Sequence, residues 1–325
     1  MALRPAPDGV ITVSFLLIPE FSMVALLSAI EPMRVANRMA RRECFRWRLL
    51  SGDGAPVQAS NQLTLQPCIA IADEPAPVNL FVCSSFHPER YLDPALIAWL
   101  QKIARQGPLL GAVDTGCYLL QAAGLIKNHR ITLHWEAIPA FREQFPALDV
   151  SNELFEIDRN LITCAGGTAA LDLMLHVIQV GFGHELAISV CEQFIKSGIR
   201  QKSDTQRIDL AARLGVYHPR LLQVLEQMEN HLDEPLSQEA LARAANVSLR
   251  QLERLFRQHL RHTPAAYYLQ LRLERARALL QESRLSVAEV ALACGFAAVA
   301  HFSRAYRKHY GCAPSAERPG AARVS

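Results

Sequence analysis

The chain has 325 residues, half of them hydrophobic and a fifth charged, with a net charge of +3 at pH 7. That length accommodates two domains with separate cores, and the composition excludes a disordered, collagenous or disulfide-scaffolded chain. No apolar run approaches the ~18 residues of a membrane-spanning helix, and Met1–Gly9 lacks the basic-then-apolar order of a signal peptide, so a cytoplasmic protein without a membrane partner is expected.

The charge is unevenly placed. From Thr205 onward 17 Lys/Arg stand against 11 Asp/Glu, a net +6, whereas the first 204 residues carry 17 against 20, a net −3. A basic C-terminal part beside a slightly acidic N-terminal part fits nucleic-acid binding confined to one end. The eight cysteines (44, 68, 83, 117, 164, 191, 294 and 312) form no C-x-x-C pair and several sit inside apolar runs. They read as reduced, buried small hydrophobes, so no metal site is expected.

In chain order, Val10–Ile18 (VITVSFLLI) is β-branched and apolar, a buried strand, and Phe21–Met39 follows as a helix with Met23, Leu26, Leu27, Ile30 and Met33 inward. Arg46–Ser51 and Leu80–Cys83 are further strands, Pro94–Gln106 a helix, Leu109–Val113 a strand and Gly116–Ala123 a helix. Leu154–Asp158 and Leu161–Cys164 can pair around Arg159-Asn160, and helices follow at Ala169–Val180 and Glu185–Lys196. Strands alternating with helices predict an α/β domain: a mostly parallel, flavodoxin-like sheet with helices on both faces.

Ligand sites in such sheets lie where strands end and helices begin. Attention therefore falls on Ala112-Val113-Asp114-Thr115-Gly116-Cys117, a sharp strand-to-helix turn. This turn, with Ile30-Glu31-Pro32-Met33-Arg34-Val35-Ala36-Asn37, ITLHWE and TCAGGTAALDLML, resembles the class I glutamine amidotransferase-like domain of the PfpI type found in GlxA-family regulators, over residues 10–200. Catalytic relatives place a cysteine on the turn, activated by a helix N-terminus. The matching residue here is Asp114, a poor nucleophile toward an amide, and His134 matches the histidine partner with no thiol to activate. Cys117 falls inside the following helix, and Ser22 and Met23 stand where enzymes of the type carry a supporting carboxylate. The expectation is no catalytic residue and no cofactor. The turn reads instead as a sensor pocket lined by Asp114, Thr115, His134, Trp135 and Glu136, whose two acids and indole suit an ammonium, guanidinium or quaternary ammonium group. The resemblance extends to regulators of arginine, carnitine and glycine betaine metabolism, which agrees in sign. In the plainer alternative, His134 and Trp135 are core residues and Glu136 is a helix N-terminal charge. Gly166-Gly167 could offer backbone N–H groups to a carboxylate, or simply permit a tight turn.

Residues 201–218 read as a polar linker, and His218–His231 begins the second domain. Leu236–Pro264 (LSQEALARAANVSLRQLERLFRQHLRHTP) is a helix pair around a tight turn: Leu252, Leu255 and Phe256 face inward, Arg250, Arg254, Arg257 and Arg261 outward. Pro264–Glu282 has no internal Pro or Gly and reads as a connecting helix. Leu285–Pro314 then repeats the pair at an offset of 49 to 50 residues, with Arg304 answering Arg254 and Tyr306 answering Phe256. Ser286 with Glu289, and Ser248 with Gln251, are potential capping boxes, but with Ala297, Ala298 and Ala300 around its start the last helix lacks such a cap. Two such units on a stiff helix could enter successive major grooves ~34 Å apart.

Over residues 219–318 the chain resembles the DNA-binding domain of the AraC/XylS regulators, above all in VALACGFAAVAHFSRAYRKHYGCAP. The resemblance implies base-reading roles for Arg250, Glu253 and Arg254 on the first recognition helix, and for Val299, Ala300, His301 and Arg304 on the second. Arg reads guanine by bidentate bonding, while Val and Ala touch only thymine methyls. Arg257, Arg261, Arg307 and Lys308 are assigned to phosphate contact. The uncapped second helix predicts that the first unit dominates affinity. The combined expectation is an all-α double helix-turn-helix domain behind an α/β sensor. Its partners would be double-stranded DNA, a small effector (an amino acid or quaternary amine), a second protomer and, for an activator, RNA polymerase. An active PfpI-like hydrolase with a DNA-binding appendage is the alternative, and a ligand-independent DNA-binding protein a third.

Overall fold

A computed structural model describes residues 3–67, 69–74, 76–283 and 285–318, so Cys68 lies outside it. The chain divides into two compact units, one running through Ile138 and resuming at Ala147–Gln206, the other comprising Pro139–Pro146 and the chain from Arg207 onward.

The first unit is built on β1 (Ile11–Leu17), α1 (Met23–Ala40), β2 (Phe45–Ser51), the short β3 (Val57–Gln58), β4 (Thr64–Leu65) and β5 (Ile69–Ala70), and β6 (Asn79–Cys83). Next come α2 (Pro94–Ala104), β7 (Leu109–Val113), α3 (Cys117–Ala122), β8 (Arg130–Ile131), α4 (Ile138–Gln144), β9 (Asp149–Val150), β10 (Phe155–Asp158), β11 (Leu161–Cys164), α5 (Ala169–Phe182) and α6 (His184–Gln193). Most of α4 groups with the second unit. The main sheet has the order β10-β11-β7-β6-β1-β2-β5, parallel except for β10. Its β2-β1-β6-β7-β11 stretch is the flavodoxin-like 2-1-3-4-5 order, which leaves the C-terminal strand ends as the place for a site. Alternate residues of β1 and β6, Val13, Phe15, Leu17, Phe81 and Cys83, join α1, α5 and α6 in one apolar core. The intervening Leu16, Leu80 and Val82 are buried too, so both faces of the sheet are covered.

Helix ends follow local chemistry. α1 begins at Met23, two residues later than the apolar pattern predicts, because the Ser22 hydroxyl caps it by accepting from the Ala25 N–H. α6 stops at Gln193, three residues early, because Ile195 takes a left-handed φ of 53°. β10 and β11 pair antiparallel around Arg159-Asn160, and Arg159 carries the left-handed φ that the turn needs.

The second unit contains α7 (Leu210–Leu214), α8 (Pro219–Asn230), α9 (Gln238–Ala244), α10 (Leu249–Leu260), α11 (Pro264–Glu282), α12 (Val287–Ala293) and α13 (Val299–Tyr310). α7 lies within the stretch read as a polar linker, and its Leu210 is buried in the core of α8, α9 and α10. The Ser248–Gln251 and Ser286–Glu289 capping boxes are both formed, whereas α13 has Ala298 at its N-cap and no side-chain cap.

Candidate nucleic-acid interface and elbow site

On α10 the buried Leu252, Leu255 and Phe256 turn the opposite face to solvent, where Arg250, Glu253, Arg254 and Arg257 are exposed. With Gln258 these four line one open depression along the helix. Arg261 is exposed but stands one residue past α10, in the left-handed cap at φ 60°, so the helical stripe ends before it. On α13 burial of Phe302 and Tyr306 leaves Val299, Ala300, His301, Arg304, Arg307 and Lys308 exposed. The His301 ring lies edge-on to Phe296 at 5.8 Å, which orients it at the start of the helix.

Among the described residues, none of these exposed arginines, nor Lys308, makes an ion pair. Elsewhere in the unit arginines are engaged: Arg213 with Glu229 at 2.9 Å, and Arg277 with Glu317 at 3.3 Å. Two helices that keep their cations unpaired on one face, each backed by its own core, are suited to phosphate and base-edge contact. Gln258 was not singled out from the sequence; its position four residues after Arg254 was the available signal.

In the first unit the turn after β7 is a strained elbow. Asp114 has φ 62°, is 6% exposed, and donates its N–H to the Cys164 carbonyl at 2.9 Å. A non-glycine residue in that region is uncommon, and strain of this kind gathers at ligand and catalytic sites. Two glycines make the turn possible: a Cβ on Gly116 would lie 2.3 Å from the Val82 carbonyl, and one on Gly166 would lie 2.8 Å from Asp114 Cβ. Gly166 is therefore the close neighbour of the Asp114 side chain, a role that the Gly-Gly dipeptide alone did not indicate. Thr115, equally buried, donates its hydroxyl to the Ser85 carbonyl, two residues past the end of β6.

His134, Trp135 and Glu136 occupy the turn after β8, and the His134 N–H donates to the Asp114 carbonyl at 3.4 Å, which brings turn and elbow together. Trp135 is 37% exposed, so it is not a core residue as the plainer alternative supposed. His134 Nδ1 is 3.6 Å from Glu136 Oε2, and burial holds the imidazole below its usual pKa despite that carboxylate. Cys117 is fully buried inside α3, its thiol donating to the Thr132 carbonyl at 3.5 Å, and burial pushes its pKa far up. It is a packed hydrophobe and is not poised as a thiolate. Among the described residues no group of three His, Cys, Asp or Glu could hold a metal ion.

Past α6 the chain is strapped back over this unit. Asp172 is fully buried and meets Lys196 Nζ at 2.8 Å and Arg200 Nη2 at 2.6 Å, a carboxylate whose loss would strand two cations. Lys202 Nζ reaches Glu156 at 2.5 Å. Gln206 then places its amide nitrogen 3.0 Å from Thr132 Oγ1, 3.0 Å from the Leu133 carbonyl and 2.9 Å from the Glu153 carbonyl. The last residue of the first unit is thus bonded to the two residues that precede His134.

Residues 15–180 match the DJ-1/PfpI family, and residues 241–319 match a helix-turn-helix domain. The chain is 48% identical to the HTH-type transcriptional regulator CdhR of Pseudomonas aeruginosa over 94% of its own length and 90% of that protein's. It is 43% identical to the HTH-type transcriptional regulator GbdR of the same species, covering 95% of this chain and 84% of the relative. Among solved structures, that of an AraC family transcriptional regulator from Pseudomonas putida superposes with a TM-score of 0.51 at 28% identity, covering 56% of this chain and 98% of that one.

Proposed function

This chain belongs to the HTH-type transcriptional regulators that join a DJ-1/PfpI domain to an AraC-type helix-turn-helix region, and we propose that its first domain is a non-catalytic sensor of a small cationic metabolite. The single observation that carries the sensor reading is Asp114. A carboxyl side chain occupies the strained elbow at φ 62°, while Cys117, the next thiol along the chain, is buried in the following helix. A carboxylate fixed there is a counter-charge for a cation, and the half-exposed Trp135 and Glu136 beside it supply a π face and a second negative charge. An amino acid or a quaternary amine is the effector class that fits, and its catabolic genes are the targets that an activator of this kind would serve. The protein acts in the cytoplasm as a homodimer, since two protomers on adjacent sites multiply specificity through effective concentration, and an activator also engages RNA polymerase. The signal passes from the His134 turn through Thr132 and Leu133 to Gln206, the point at which the chain leaves the sensor.

Thermal-shift titration of the full chain with cationic amino acids and quaternary amines tests the effector class, and flat curves across the panel would sink it. A gel shift at stated salt tests DNA binding separately. Amide hydrolysis that survives Cys117→Ala and disappears on Asp114→Ala would replace the sensor with the hydrolase alternative.

A further inference from the structure

The two reading units do not share a core. The first packs Leu241, Leu252, Leu255 and Phe256 with Tyr267 and Tyr268 from the start of α11. The second packs Val290, Phe296, Phe302 and Tyr306 with Leu273, Ala276, Leu279 and Leu280 from the rest of α11. Apolar burial therefore holds each recognition helix to its own half of α11, a helix about 28 Å long. The two cores meet near the middle of that helix.

Polar groups gather at that junction. Tyr268 Oη donates to the His231 carbonyl at 2.5 Å and accepts from the Leu236 N–H at 3.2 Å, which grips the backbone leading into the first unit. One helical turn later, on the same face of α11, Arg272 grips the turn of the second. Its Nε donates to the Cys294 carbonyl and its Nη2 to the Gly295 carbonyl, both at 2.7 Å. The guanidinium also lies 4.0 Å over the Phe296 ring. These carbonyls belong to the end of α12, where helix acceptors lack intrahelical donors. The two gripped segments touch directly. Gly295 has φ 71°, and a Cβ there would lie 2.6 Å from Pro235 Cδ and 2.8 Å from the Asp233 carbonyl.

We infer that Arg272 and Gly295 are positioning residues that fix the spacing between α10 and α13, so that the protein selects operators by the distance between two elements as well as by their bases. This rests on the DNA-reading role of both helices. Arg suits the task because its planar fork spans two adjacent carbonyls while stacking on a ring, which a lysine ammonium cannot do at once. A loosened junction would let α13 find its element at several offsets, since each inserted base pair displaces the groove by about 3.4 Å and rotates it by roughly a tenth of a turn.

The test uses the full chain and a library of duplexes with a randomised central segment. Wild-type protein is expected to select two elements at one separation, and a one-base-pair insertion between them should weaken binding about tenfold, the scale of a mismatched contact. Arg272→Ala should keep the first element but bind inserted and parent duplexes within about twofold of each other. Gly295→Ala should behave similarly. Should either variant fail to melt cooperatively, Arg272→Lys, which preserves charge and most of the volume, carries the test, with an insertion penalty intermediate between the two. Retention of a single selected separation and the full insertion penalty by folded Arg272→Ala or Arg272→Lys would overturn the inference. Wild-type selection of one element alone would overturn it too, whereas selection of no DNA would instead overturn the DNA-reading role.

Discussion

The uncapped start of α13 gives a quantitative handle on the difference in capping between the two helix-turn-helix units. In α10 the Ser248 hydroxyl accepts from the Gln251 N–H at 3.2 Å, and the Gln251 side chain returns the bond to the Ser248 N–H at 2.9 Å. At the matching point of the second unit Ala298 is already extended, at φ −139° and ψ 128°, and its carbonyl accepts from the N–H groups of His301 and Phe302 at 3.1 Å. Only the side-chain acceptor is missing. Ala298 is exposed, so Ala298→Ser adds an oxygen without a steric cost. The gain should be about 1 kcal/mol, close to a fivefold shift in local opening. Native-state hydrogen exchange on the full chain reads it: amides in the middle of α13 should exchange about fivefold more slowly in Ala298→Ser, with those of α10 unchanged. The reciprocal Ser248→Ala should speed α10 by a similar factor. Unchanged α13 exchange alongside a faster α10 would refute the reasoning, because the missing cap would not then be what separates the units.

Three further outcomes are expected. Arg254→Ala should cost operator binding about 1–3 kcal/mol, more than Arg304→Ala, since it lies on the capped helix; the reverse order in parallel titrations would contradict that ranking. Gln206→Ala removes a donor from three acceptors beside His134 and should increase limited proteolysis between residues 199 and 215, and unchanged cleavage would place the strap's strength elsewhere. Burial lowers the pKa of His134, and burial together with Lys202 lowers that of His176, so the unfolded chain binds more protons than the folded one below about pH 6.5. The stability they contribute is present above that pH and lost as pH falls through the depressed folded values, so the melting temperature of the α/β unit should drop between pH 7 and 5, less steeply in His134→Gln.

What could be read without a structure was whatever local chemistry encodes. Capping boxes close over three residues, and an apolar face recurs every three or four, so α9, α10, α12 and α13 and their exposed arginines were legible, as were the strands and helices of the sheet. The missing cap of α13 was legible for the same reason. Where the chain departed from its apolar pattern, at Ile195 or Arg261, a left-handed residue ended the helix with no glycine to announce it.

The tertiary structure decided what depends on residues far apart in sequence. Arg272 reads as one more charge on a connecting helix until folding sets it beside carbonyls more than twenty residues away. Gln206 sits in a polar stretch and becomes a strap only because Thr132 and Leu133 lie beneath it. Asp114 was legible as a carboxylate where a thiol was expected. Its left-handed backbone and its contact with Gly166 followed only once β7 and β11 were paired side by side. Bonds that close within one helical turn are written in the order of residues, whereas bonds between segments need the strand order and helix packing that only the assembled cores supply.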